Sequence, residues 1–361
     1  MTCWKKTVVW VVAATSMLLL IAGEAASDAL DDRTELKNEV IHLFSGSKFA
    51  ELEAMNARFR KTKERSASGR WQLTVFDNGL AWAFTDHRKK YGDGTFWDKT
   101  EGKVKRWIEA YPESPTAHLA YARFLLSRGW NLDDEKPEAV QRKPKDLERF
   151  LKYAEQARRY LESTKAIAAS DPNWYRLMVE IARWQQWPEP AFRALTNEAF
   201  DKEPLFYRTY LAAALYYFRE DGDNADALEM FAQDALRRTE AREGATLYTR
   251  IYWHVSDRAV GERLFLDTNV DWDTMEQGID DIMDAYPDNW NAHNFAKFAC
   301  LAGDVQMTAD MFTHISGSQS KMKFMMAWGR PSLFSECFRQ VVAKPRAIKE
   351  YARDVVRFLM Q

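Results

Sequence analysis

Apolar residues recur at helical spacing along the chain from Leu30 onward. The clearest stripe lies in 147–161, where successive apolar residues are separated by 3, 1, 3, 3 and 4 positions. Its members are Leu147, Phe150, Leu151, Ala154, Ala157 and Leu161. This spacing places them on one face of a helix, and no stretch alternates every two residues for long enough to predict a sheet. The sequence therefore predicts an all-α fold.

Proline and glycine predict where individual helices begin and end. A proline suits the first helical position, where an N–H would have no partner, and a polar residue before it can cap the helix. This pattern predicts helix starts at Ser114-Pro115, Asp171-Pro172 and Glu203-Pro204. Asp273 and Glu276 have the spacing of a capping box. Because glycine accepts the left-handed conformation that ends a helix, ends are predicted at Gly129, Gly222 and Gly303.

The chain also contains an internal repeat. Ala110-Tyr111-Pro112-Glu113 matches Ala285-Tyr286-Pro287-Asp288, and an Ala-His pair follows at the same offset in both copies. Repeat units are expected to start, 32 to 60 residues apart, near Pro112, Pro172, Pro204, Gly244 and Pro287. One helix, turn, helix unit fits each interval, and such units stack because none buries both of its faces alone. We therefore expect a tetratricopeptide-like α-α superhelix with a concave side, and a polar surface insertion at about 131–145.

The first 25 residues have the pattern of an export signal. Lys5 and Lys6 precede an uncharged stretch from Thr7 to Gly23, which small residues follow. We predict a signal peptide over 1–25 and a helical-repeat domain over 26–361, located in the periplasm or secreted. The alternative is an uncleaved segment that tethers the same domain to the inner membrane, facing the periplasm.

Charge and cysteine content narrow the choice of partners and compartment. The 51 basic and 53 acidic residues leave a net charge of −2, which does not favour nucleic-acid binding. After removal of the signal peptide, the cysteines that remain are Cys300 and Cys337. They are a candidate disulfide in an oxidising compartment, or alternatively two small buried apolar residues.

Motifs for catalysis or cofactor binding are absent from the sequence. It has no nucleophile elbow, phosphate-binding glycine loop, dinucleotide fingerprint or zinc-protease motif. No two of its six histidines are three or four positions apart, the spacing that places two metal ligands on one helix face. The sequence therefore predicts no catalytic residue, cofactor or metal.

Four side chains are candidates for a binding surface. His118 and His293 occupy equivalent repeat positions, which favours packing between repeats over ligand contact. Trp184 and Trp187 precede Pro188 at a predicted helix end, and aromatic rings in a groove can hold sugars or peptides. The alternative for both tryptophans is a place in the core.

Two charged stretches add possible docking patches. Eight carboxylates and no basic residue lie within 267–288, and six basic residues with one glutamate lie within 58–70. The favoured interpretation of each is a solvated helix face whose charges suit the helix dipole.

Several separated blocks of the chain form a further pattern. They are Gly69-Arg70-Trp71-Gln72-Leu73, the segment 107–129, Asp171-Pro172-Asn173-Trp174-Tyr175, Ile181-Ala182-Arg183 and Leu247-Tyr248-Thr249-Arg250-Ile251-Tyr252. Together and in this order they resemble one bacterial family, which is catalogued as domain of unknown function 4034. The resemblance covers about 49–328 and implies a helical-repeat fold with no established activity. The chain departs from the family at Phe218-Arg219-Glu220-Asp221, where a longer segment is expected.

These observations predict an exported, non-enzymatic helical-repeat protein that presents a curved surface to a protein or peptide partner in the cell envelope. The alternative is an envelope glycan-active or hydrolytic enzyme that uses Asp and Glu side chains on the same scaffold. A pair of carboxylates converging in one cleft would distinguish the enzyme from the binding protein.

Overall fold

A computed structural model describes residues 29–85, 95–130, 144–218, 225–315 and 321–342. The predicted signal peptide and most of the predicted insertion lie outside these residues. The helices are α1 (Ala29–Ser45), α2 (Phe49–Thr62), α3 (Gln72–Ala83), α4 (Thr95–Ala110), α5 (Pro115–Trp130), α6 (Pro144–Ser163), α7 (Lys165–Ala168), α8 (Asn173–Trp184), α9 (Glu189–Lys202), α10 (Tyr207–Tyr217), α11 (Ala225–Glu243), α12 (Thr246–Val255), α13 (Leu264–Asp267), α14 (Trp272–Ala285), α15 (Asn289–Ala302), α16 (Val305–His314), α17 (Lys321–Trp328) and α18 (Pro331–Val342).

The all-α prediction is confirmed for the described part of the chain. There, pairing of extended backbone is limited to one bridge between Arg65 and Trp71. None of the helices within these ranges combines the length and apolar character that a bilayer-spanning helix needs.

Two of the three predicted helix starts are confirmed. Ser114 Oγ accepts the Ala117 N–H at 3.0 Å, where α5 begins. Asp171 Oδ1 accepts the Asn173 N–H at 2.8 Å, where α8 begins. The start predicted at Glu203-Pro204 is wrong by three residues, because the chain first makes a turn that buries Phe206.

The predicted caps and helix ends are partly correct. Gly303, with φ +82°, ends α15 as predicted. Gly129 lies inside α5 instead, where its lack of a side chain lets Phe150 of α6 approach closely. Asp271 caps α14 in place of Asp273, since its side chain accepts the Thr274 N–H at 2.8 Å. Gly222 lies outside the described residues.

Helices pack in consecutive pairs along the chain. The pairs are α5 with α6, α8 with α9, α10 with α11, α12 with α14, and α15 with α16. Each repeat start predicted from the sequence lies within three residues of the first helix of a pair. The first helices of neighbouring pairs also contact one another, α5 with α8, α8 with α10, and α10 with α12.

The N-terminal segment lies against helices that come much later in the chain. Asn56 of α2 donates to Asp171 at 3.2 Å, just before α8. Arg65 forms an ion pair with Glu243 at the end of α11. The Trp71 ring packs edge-on against Phe206, with ring centroids 5.4 Å apart. The segment 63–71, between α2 and α3, is thereby held against the turns before α10 and α12.

Candidate functional site

A cavity of about 100 Å³ lies where the segment 63–71 meets α1, α10, α12 and α15. Four arginines line it: Arg33, Arg70, Arg208 and Arg250. Asp257 is the one carboxylate among its lining residues, and His254 is the one imidazole. The wall of this cavity is therefore rich in positive charge that its own carboxylate does not balance.

Local structure explains how the basic side chains reach the same cavity. Arg250 and His254 are four positions apart on α12, so they lie on one face of that helix. Arg208 stands in the first turn of α10, and α10 packs directly on α12. Arg70 comes from the segment 63–71, and Arg33 comes from α1. No single helix could supply this set.

The backbone at Ser68 and Gly69 holds Arg250 in place. Arg250 Nη2 donates to the Ser68 carbonyl oxygen at 2.8 Å. Gly69 has φ +82°, and a Cβ atom at this position would lie 2.7 Å from the same Nη2. A side chain at position 69 would therefore meet both backbone strain and a steric clash.

Burial and mutual repulsion make the charged forms of these arginines less favourable. Burial, followed by the charges of Arg33 and Arg208, lowers the pKa of Arg70 well below its ordinary value. Arg70 is nevertheless exposed to solvent, and it lines the cavity. Burial lowers the pKa of Arg208 to about 10, and the charge of Arg176 acts in the same direction. Burial also lowers the pKa of Arg250 to about 10.

The imidazole in this group is neutral at physiological pH. Burial, followed by the charges of Arg208 and Arg258, lowers the pKa of His254 well below 6.5. His254 therefore brings a hydrogen-bonding ring to the cavity and no charge. An anion placed among these groups would relieve the repulsion that lowers their pKa values.

Buried polar atoms in the wall that lack a hydrogen-bond partner among the described residues include Asn291 Oδ1, Trp71 Nε1 and Arg250 Nε. Asn291 is fully buried, and its Nδ2 donates to the Tyr286 carbonyl oxygen at 2.9 Å, which fixes the orientation of the amide. Buried polar atoms are normally hydrogen-bonded, so atoms left unpartnered around a cavity indicate a place for a ligand or water.

A neighbouring buried cluster shows the opposite balance. Arg176 is only 2% exposed, and its Nη2 lies 3.1 Å from Asp77 while its Nη1 donates to Glu180 at 2.9 Å. Arg123 lies 3.7 Å from the same Glu180. Acids and bases are matched in this cluster, so it needs no external anion.

The two histidines predicted as candidates serve packing in the structure and do not line the cavity. His118 is buried, with Nδ1 2.6 Å from the Tyr160 hydroxyl and Nε2 2.7 Å from the Pro112 carbonyl oxygen. His293 is also buried, and its Nδ1 accepts the indole N–H of Trp328 at 3.1 Å.

The two candidate tryptophans are half-buried at the end of α8, away from the residues that line the cavity. Trp184 packs against Phe150, with ring centroids 5.5 Å apart. Trp187 donates its indole N–H to Gln185 at 2.9 Å. The structure therefore does not bring the four predicted candidates together in one site.

The candidate disulfide and the charged stretches have clear structural places. Cys300 and Cys337 are joined by a disulfide that ties α15 to α18, with Cα atoms 5.6 Å apart. In the acidic stretch, Asp271 and Asp288 cap helices α14 and α15, and Asp281 accepts the Ala245 N–H at 2.6 Å. Of the basic stretch, Arg70 alone lines the cavity.

Sequence reasoning missed the arginine cluster because its members are scattered along the chain. One signal was present: Arg70 and Arg250 belong to two of the blocks that carry the family resemblance. The spacing of Arg250 and His254 also places them on one helix face. Neither observation predicts that Arg208 and Arg33 join them.

A comparison of the chain with family models, curated proteins and solved structures found no match. The resemblance to the family of domain of unknown function 4034 therefore stays a prediction.

Proposed function

We propose that this chain is a non-enzymatic, exported binding protein, built as a tetratricopeptide-like superhelix, which holds an anionic group of its ligand in the arginine-lined cavity. The observation that carries the proposal is the excess of arginine over carboxylate in the cavity wall. Guanidinium groups in an apolar setting are the side chains that proteins most often use for carboxylate and phosphate recognition.

The repeat architecture is supported by the agreement between the predicted repeat starts and the observed helix pairs. Each predicted start lies within three residues of the first helix of a pair, and the first helices α5, α8, α10 and α12 contact one another in succession. Stacked pairs of this kind create a curved inner surface. The N-terminal segment lying against α10 and α12 would turn part of that surface into a closed cavity.

We propose that the anionic group belongs to a ligand in the cell envelope, a protein or peptide partner being the class favoured by the repeat pattern. Besides arginines, the cavity wall carries the rings of Trp71, Trp253 and Trp290. These rings provide apolar contact beside the charged groups, as in most ligand sites. The predicted signal peptide supports a location in the periplasm or outside the cell.

The alternative, a hydrolase, needs two carboxylates that face one cleft. The lining of the cavity contains Asp257 and no second carboxylate. Asp171 and Asp77 are both buried, yet each already has a structural partner: Asp171 binds the N–H of Asn173, and Asp77 pairs with Arg176. This arrangement favours binding over hydrolysis.

The proposal is tested by titrating the purified protein with a panel of anions at constant ionic strength, using inorganic phosphate, citrate, acetate and a short glutamate-rich peptide. We expect at least one to raise the melting temperature saturably. This effect should be lost in Arg208→Gln and retained in Arg237→Gln, because Arg237 is an exposed arginine of α11 that does not line the cavity. If no anion stabilises the protein, or if Arg208→Gln responds like the wild type, the proposal is wrong.

A further inference from the structure

We infer that the group held in the cavity is a phosphoryl group, either inorganic phosphate or the terminal group of a small phosphomonoester. This inference rests on the proposed function, because it places an anion in the arginine-lined cavity, and it assigns that anion to a small ligand in place of the protein or peptide partner favoured there. It follows from three features of the cavity: the amount of charge, the directions from which the arginines come, and a buried acceptor without a partner.

The charge in the wall fits a dianion better than a carboxylate. Arg70, Arg208 and Arg250 bring three positive charges against the single carboxylate of Asp257, which leaves two positive charges even without Arg33. A carboxylate would neutralise one of them. A phosphomonoester carries about 1.5 to 2 negative charges at neutral pH, and positive surroundings also favour the dianion of inorganic phosphate over its monoanion.

The arginines also reach the cavity from separate elements. Arg70 is supplied by the segment 63–71, Arg208 by α10 and Arg250 by α12. The two oxygens of a carboxylate lie in one plane, and a single guanidinium fork can bind both. A phosphoryl group is tetrahedral, so its three oxygens diverge and can each meet a guanidinium from a different direction.

The unpartnered acceptor in the wall calls for a ligand that also carries a hydrogen. Asn291 Oδ1 is buried without a partner, and its orientation is fixed because Nδ2 donates to the Tyr286 carbonyl oxygen. Asp257 is a second acceptor in the same wall. Inorganic phosphate as its dianion keeps one proton and can donate it to such an acceptor, and a small phosphomonoester can donate a hydroxyl of its alcohol part instead, whereas sulfate, which has the same shape and charge but no proton, cannot.

The size of the cavity limits the ligand. About 100 Å³ accommodates the phosphoryl group and a few further atoms, for which Trp253 and Leu211 provide an apolar wall. The phosphoryl group can come from free phosphate or from a small ester, and both sources share the recognition chemistry.

The test is isothermal titration calorimetry of the purified protein at pH 7 and constant ionic strength with inorganic phosphate, glycerol 2-phosphate, sulfate, succinate and acetate. We expect inorganic phosphate or glycerol 2-phosphate to bind one to one, at least tenfold more tightly than sulfate and both carboxylates. The tighter of the two phosphates identifies the source. Arg208→Gln should weaken this binding at least tenfold and Arg237→Gln should leave it unchanged.

A second variant separates a loss of phosphate binding from a loss of folding. Arg208→Lys preserves the charge and removes the guanidinium fork, so it should fold, as judged by circular dichroism, and bind phosphate with intermediate affinity. Binding of sulfate as tight as that of phosphate would overturn the assignment, because charge alone would then suffice. Tighter binding of succinate or acetate than of either phosphate would also overturn it and would leave the proposed function standing. Absence of binding by every anion would refute both.

Discussion

Replacing Arg208 with methionine should stabilise the ligand-free protein. In the folded state, burial first and the neighbouring charge of Arg176 second lower the pKa of Arg208 from 12.5 to about 10. A decrease of this size means that the folded state disfavours the charge by about 3 kcal/mol. The Arg208 guanidinium has no hydrogen bond to the described residues that would offset this, and methionine keeps a flexible chain of similar length.

We expect a gain in the free energy of unfolding of about 1–2 kcal/mol, less than the full penalty because water and neighbouring side chains already screen part of the repulsion. The gain should be constant from pH 6 to pH 9, since Arg208 stays charged below its lowered pKa. It would disappear as the pH rises from about 10 towards 12.5, where the wild-type group loses its proton in the folded state.

The assay is urea unfolding of the wild type and Arg208→Met, followed by circular dichroism in phosphate-free buffer. Arg237→Met is the control, because Arg237 is 62% exposed on α11 and its replacement should change stability by less than about 0.5 kcal/mol. If Arg208→Met is less stable than the wild type, then Arg208 stabilises the fold. In that case the cavity of the ligand-free protein does not hold an unfavourable positive charge that a ligand would neutralise. Saturating phosphate should narrow the difference in unfolding free energy between the two proteins, since it stabilises the wild type more than Arg208→Met.

Three further predictions concern the surroundings of the cavity and the C-terminal helices. Gly69→Ala should destabilise the protein by about 2 kcal/mol or more in urea unfolding, because left-handed backbone and a steric clash combine at this position. The control is Gly261→Ala, which should cost only about 1 kcal/mol, because Gly261 also has positive φ but has open space around it. Reduction of the Cys300–Cys337 disulfide, which closes a loop of sequence separation 37, should lower the unfolding free energy by at most about 4 kcal/mol, and Cys300→Ser should reproduce this loss without reductant. The His254 imidazole should remain neutral at pH 6 in NMR titrations of the free protein and show a higher pKa with phosphate bound; an unchanged pKa would place the anion elsewhere.

Much of the helical framework could be predicted from local patterns. Ser114 and Asp171 cap helices where the sequence predicted starts, because the cap and the following proline act within a few residues of one another. The start predicted at Glu203-Pro204 failed for a tertiary reason: burial of Phe206 beside Trp71 favours a turn there, and Trp71 is distant in sequence. The helix end predicted at Gly129 was wrong for a similar reason. A glycine that allows close packing against Phe150 cannot be distinguished, from the sequence alone, from a glycine that ends a helix.

The candidate site could not be predicted in the same way. The cavity-lining arginines range from Arg33 to Arg250, so nothing in a local window connects them. The net charge of −2 also gives no sign of the local excess of arginine over carboxylate in the cavity wall, because acidic residues elsewhere, such as those of 267–288, balance the total charge. The tryptophan and histidine candidates were chosen because they occupy a helix end or equivalent positions of the repeat. For His118 and His293, the equivalent positions reflect packing between helices.

The position of the N-terminal segment connects binding to folding. Arg33 and Arg70 belong to this segment and its preceding helices, whereas Arg208 and Arg250 belong to α10 and α12, so the positive charges on the two sides repel across the cavity. Other contacts hold the two sides together despite this repulsion, among them the hydrogen bond from Arg250 to the Ser68 carbonyl oxygen and the packing of Trp71 on Phe206. An anion between the two sides would turn the repulsion into attraction for both. Binding of the anion would therefore also stabilise the contact between the N-terminal segment and the later helices. For a ligand at 100 times its Kd, the folded protein gains about 2.7 kcal/mol in the free energy of unfolding.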